Sequence, residues 1–172
     1  MADETKTEEQ PAEHNAGPGI QVHAQYTKDL SFENPNSPES LVSGWGAPET
    51  NVNINIQTNA IAGKEDTFEV VLLFRIESKN KEHDKVAFIV ELAYGCVVTI
   101  GNVPKENMSP VLLIEIPKLM FPFAREIIAK SSIQGGYPPL YLQPINFEAL
   151  YMQEAKRQQD AKGEEAPASA QS

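Results

Sequence analysis

The 172-residue chain contains one cysteine, one tryptophan and only 14 Lys and Arg against 24 Asp and Glu. A lone thiol, Cys96, excludes an intramolecular disulfide and offers no zinc cage. The formal charge of −10, with no cluster of Lys or Arg, argues against nucleic acid, because neutralising phosphates needs a basic face. No stretch approaches the roughly 20 apolar residues of a bilayer-spanning helix, so direct membrane insertion is not expected. HExxH, GxSxG and Gly-rich phosphate loops are missing. A Cys–His nucleophile would need Cys96 beside His14, His23 or His83, and His14 lies in a tail and His83 in a turn. Cys96 therefore reads as a small buried hydrophobe, and neither an enzyme nor a cofactor is expected.

The ends are poor in apolar residues. Residues 1–19 carry five acids against Lys6, and apart from Met1 their apolar side chains are alanines and prolines. Residues 156–172 have no large apolar side chain. Such segments bury too little surface to offset their ordering entropy, so both are expected to be disordered tails around a folded body at 20–155. The amino terminus lacks the positive and apolar regions of a secretory signal, which points to the cytoplasm.

What is present is strand patterning. Ile20, Val22, Ala24, Tyr26, Leu30 and Phe32 share one parity, and Asp29 and Glu33 fall on the other, polar one. Lys28 interrupts the apolar parity and marks a bulge or kink. After a Pro- and Gly-rich loop carrying Trp45, Val52, Ile54 and Ile56 alternate with Asn and Gln. FEVVLLFRIES (68–78) and KVAFIVELAYGCVVTI (85–100) read as central strands joined by a short polar hairpin. The two-sided apolarity of the latter hints at self-association.

Helical spacing appears only in the last third. Pro110, Pro117 and Pro122 predict broken or kinked helix up to Gly135 and Gly136. A final helix begins after Asn146, a suitable N-cap, with Glu148 in its first turn. Strands and then helices predict an α+β fold, a four-stranded antiparallel sheet with C-terminal helices packed on one face.

Asp29 and Glu33 share a strand face but stand roughly 13 Å apart, too far for one small substrate or metal. They form either an ordinary solvated face or a spread patch that docks a basic partner. Trp45, Tyr137, Leu140, Leu142, Phe147, Leu150 and Tyr151 sit on or beside irregular segments. They either pack on the core or line a groove for extended polypeptide.

YTKDLSFENPNSP (26–38), FPFAREIIAKSSIQGGYPPLYLQPINFEALY (121–151) and the pair FEVVLLFRIES with VAFIVELAYG resemble the bacterial export chaperone family SecB, over about residues 20–152. The resemblance implies a cytoplasmic homotetramer, a dimer of dimers, with helices between two sheet layers. It implies a holdase without enzymatic activity that binds unfolded precursor proteins and hands them to the motor ATPase SecA. Asp29 and Glu33 match acidic SecA-docking positions, and the hairpin acids Glu82 and Asp84 are further candidates. Phe88, Val90, Leu92 and Tyr94 align with a set tied to subunit assembly. Trp45, Leu142, Phe147, Leu150 and Tyr151 lie where the resemblance puts the client groove. The alternative is a SecB-like chaperone dedicated to one client, such as an antitoxin.

Overall fold

A computed structural model describes residues 19–42, 45, 48–82 and 84–164. Residues 1–18 and 165–172, which include most of the expected tails, lie outside the described residues.

Alternating side chains and β-branched residues give four strands, β1 (Gly19–Glu33), β2 (Glu49–Ala60), β3 (Thr67–Asn80) and β4 (Lys85–Gly101). They form one antiparallel sheet in the order β1-β4-β3-β2, so the most apolar strands are central, as expected. Period-2 alternation divides the sheet into two faces. The inner face carries Val70, Leu72, Phe74 and Ile76 of β3 and the even-numbered residues Phe88 to Ile100 of β4, all buried.

Helices cover that face. From Lys105 to Gln134 the chain is helical without a gap: α1 (Lys105–Pro110), a wide π-type turn (Val111–Glu115) and α2 (Ile116–Gln134). Of the broken or kinked helix expected at the prolines, the structure shows no break, and the irregularity takes the form of this turn. Pro110 has no N–H to donate, and the turn after it shifts the hydrogen-bond ladder locally. Pro117 stands in the first turn of α2, where proline is well tolerated. Ile116, Met120, Ala124 and Ile128 recur every fourth residue and are fully buried, so α2 lays one stripe on β3 and β4. The rings of Phe121 and Phe74 stand 6.5 Å apart in this layer.

α2 stops in a Schellman motif. Gly136 adopts φ +89°, and the Gly136 and Tyr137 amides donate to the Ile133 and Ser132 carbonyls at 3.0 Å each. An extended segment then leads to α3 (Phe147–Glu164), capped by Asn146, whose Oδ1 accepts from the Ala149 amide at 2.9 Å. The boundary expected at residue 155 falls inside α3, because Ala, Lys, Arg and Gln after it are good helix formers despite their polarity. No helix among the described residues is long and apolar enough to cross a membrane.

Candidate functional site

The outer sheet face can be read row by row, since residues paired across antiparallel strands point the same way. From β1 through β4 and β3 to β2, one row is Glu33, Ile89, Glu77 and Asn51. Then come Ser31, Glu91, Arg75 and Asn53, and after them Asp29, Ala93, Leu73 and Asn55. Asp29 and Glu33 are thus outward and exposed, as their parity predicted. Neither carboxylate has an ion pair or hydrogen bond among the described residues, whereas Glu91 between them is paired with Arg75. Glu77, two strands from Glu33, lies roughly 10 Å away. Half-buried Leu73, Ile89 and Ala93 form an apolar floor among these acids. Sequence reading missed Glu77, Ile89 and Glu91, although odd parity on β3 and β4, once paired to β1, identifies all three.

Tyr26 corrects the expected parity of β1: it faces outward with Asp29 and Glu33. Register shifts at Val22/Ala24 and Thr27/Asp29 leave His23 and Lys28 as extra residues, and each bulge flips the residues beyond it to the other face. Lys28 was legible as an irregularity, but His23 was not. Leu30 and Phe32 keep the expected inner face, opposite Leu92 and Val90.

The hairpin acids stand apart from this patch. Asp84 lies five residues beyond Ile89, the partner of Glu33, which is roughly 17 Å along the strand. It is paired with Lys79 at 2.6 Å, and this contact holds the Lys79 ammonium above its usual pKa. Glu82 is exposed at the turn, and its amide donates to Asn80 Oδ1 at 2.8 Å.

The two apolar sets lie mostly in the core. Phe88, Val90, Leu92 and Tyr94, expected at a subunit contact, are buried on the inner face under the chain's own helices. Phe88 stacks on Phe32 at 5.6 Å and tilts against Tyr137 at 4.7 Å. Among the groove candidates, Leu142 is 6 % and Phe147 1 % exposed, and both belong to the hydrophobic core. The Phe147 ring meets Phe121 edge-on at 6.1 Å. Leu150 and Tyr151 are half-buried at the start of α3. Trp45 is half-buried in its loop; its carbonyl accepts from Asn80 Nδ2, and Lys85 Nζ stands 5.9 Å from its ring centre.

Apolar surface remains elsewhere. On the inner face of the sheet, Leu30 of β1 is 44 % exposed, and Val22 of β1 and Val52 of β2 are also open. Leu119, Phe123 and Ile133 line the far side of α2, Phe123 at 49 % exposure.

Comparison with known proteins assigns this arrangement to a family. The family described as "Preprotein translocase subunit SecB" matches residues 13–158. The chain belongs to the SecB family. It is 51 % identical to the protein-export protein SecB of Bradyrhizobium sp. strain BTAi1, over 85 % of this chain and 88 % of that one. The SecB of Bradyrhizobium diazoefficiens is 49 % identical over 90 % of this chain and 93 % of its own length. Among solved structures, a SecB-like chaperone of Mycobacterium tuberculosis, in complex with a peptide from an antitoxin, superposes with a TM-score of 0.60. That match covers 74 % of this chain and 91 % of the other at 11 % identity, a likeness of fold. SecB relatives are protein-export chaperones, in agreement with the function that the sequence motifs imply.

Proposed function

We propose that this SecB protein acts in the cytoplasm as a homotetrameric holdase that binds unfolded precursors, keeps them competent for translocation and passes them to SecA. The observation that carries this reading is the division of the surface. Unpaired carboxylates on the outer sheet face suit a basic, reversible receiver, while open apolar side chains on β1, α2 and the Trp45 loop suit self-assembly and client capture. Within the docking patch, Asp29 and Glu33 are the primary anions, and Glu77 and Glu91 flank them. Glu82 and Asp84 are peripheral, since the hairpin stands roughly 17 Å along the strand from the patch. For clients, Trp45, Leu150 and Tyr151 offer partly accessible contact, whereas Leu142 and Phe147 are buried in the core.

One experiment with two arms tests the reading. Wild-type protein mixed with several unrelated unfolded precursors is expected to suppress the aggregation of most of them. Protection of a single client would instead support the dedicated, antitoxin-type chaperone. In the second arm, Asp29→Lys with Glu33→Lys is expected to weaken SecA binding at least about tenfold, without loss of holdase action, as removing well-placed charges does. Unchanged SecA affinity rejects the docking role.

A further inference from the structure

The two bulges of β1 have an energetic cost that the docking role alone does not explain. After the His23 bulge, a regular strand would turn Asp29 and Glu33 inward and Leu30 and Phe32 outward. The Lys28 bulge reverses this. Something must hold the extra residue at that position, and its own side chain and that of Tyr26 converge on one carboxylate.

Tyr26 Oη donates to Glu69 Oε1, and Lys28 Nζ lies 2.7 Å from the same oxygen. Asn59 Nδ2 donates to Oε2 at 3.3 Å. Glu69 belongs to β3, so Tyr26 and Lys28 reach it across β4, and Asn59 reaches it from β2. The crossing is possible because β4 presents Gly95 beneath the ring. A Cβ at Gly95 would fall 2.6 Å from Tyr26 Cζ and 2.8 Å from Cε2. Three strands, β1, β2 and β3, are therefore tied through one outward carboxylate, over the glycine of the fourth. Lys28, the neighbour of Asp29 in sequence, spends its charge on Glu69 and leaves Asp29 unpaired.

We propose that Tyr26, Lys28 and Glu69 are positioning residues for partner docking: their tie over Gly95 locks the Lys28 bulge, aims Asp29 and Glu33 outward and withholds Lys28 from Asp29. The inference rests on the docking reading above. The tie is complete at neutral pH. The hydrogen bond to Glu69, with some burial, pushes Tyr26 up to about 12, and Lys28 and Tyr26 hold Glu69 below the usual carboxylate range.

The test uses the full chain and measures SecA affinity, affinity for one unfolded precursor and native mass on each variant. Tyr26→Phe removes a single hydroxyl and no charge. It is expected to weaken SecA about three- to tenfold, the worth of a hydrogen bond, with client affinity and mass within about twofold of wild type. Gly95→Ala, which displaces the ring, should weaken SecA at least as much. Glu69→Gln, whose amide oxygen still accepts from both partners, should retain more SecA affinity than Glu69→Ala. Parallel losses of SecA and client affinity would mean a general sheet-stabilising role and overturn the inference. If reversing Asp29 and Glu33 leaves SecA binding intact, the docking reading fails and this inference with it. If that reversal abolishes binding while Tyr26→Phe and Gly95→Ala bind fully, the inference alone fails.

Discussion

Cys96 lies on the inner face of β4, between Gln25 of β1 and Val70 of β3, and is 1 % exposed. Burial pushes its thiol up to about 11. Native protein at pH 8 should therefore react with a thiol reagent at least about a hundredfold more slowly than protein in denaturant, since the thiolate is the reacting form. Similar rates would mean that the inner face opens readily. The burial of Cys96 agrees with the sequence, which offers the thiol no catalytic partner. The environment of Phe147 was not legible in sequence, because an aromatic beside a Pro-rich linker fits a groove or a core equally well. What decides is tertiary: α3 begins at Phe147 itself, and Phe121 of α2 is there to receive the ring.

At the scale of elements, β1 divides what the sequence could and could not convey. Strand existence, the antiparallel hairpin, the outward aspect of Asp29 and Glu33 and the Asn146 cap all come from local pattern. The inverted segment from Ala24 to Thr27 does not, because a second bulge cancels the first and leaves the overall parity looking undisturbed. The tie across that segment gives β1 a pH dependence of definite sign. Glu69 is depressed in the folded state, so its contribution is present above the ordinary Glu value of about 4.3 and is lost as pH falls through the lowered value. Tyr26 is raised, so its contribution is complete below about 10 and fades as pH climbs through about 12. Unfolding free energy measured against pH should fall less steeply on the acid side in Lys28→Met than in wild type. Equal slopes would show that Lys28 does not stabilise the Glu69 carboxylate.

The whole molecule leaves Leu30, Leu119 and Phe123 open on the helix side of the sheet. At roughly 25 cal/mol per Å², covering such side chains contributes in favour of contact with a second copy. Light scattering is expected to give the mass of four copies of the 19.0 kDa chain. Phe123→Glu with Leu30→Glu should move the population to smaller species, since burying a charge there opposes the contact. A wild-type particle of one chain would refute assembly through these faces.

Asp29 and Glu33 stand about four strand residues apart, farther than the roughly 8 Å over which charge is felt in physiological salt. Each anion therefore acts alone and only near contact. If this face docks a receiver, as proposed, that receiver must bring several cations to grip the sheet and can be peeled away one contact at a time. Attachment of that kind would be tunable by counting charges and would not depend on a single strong bond.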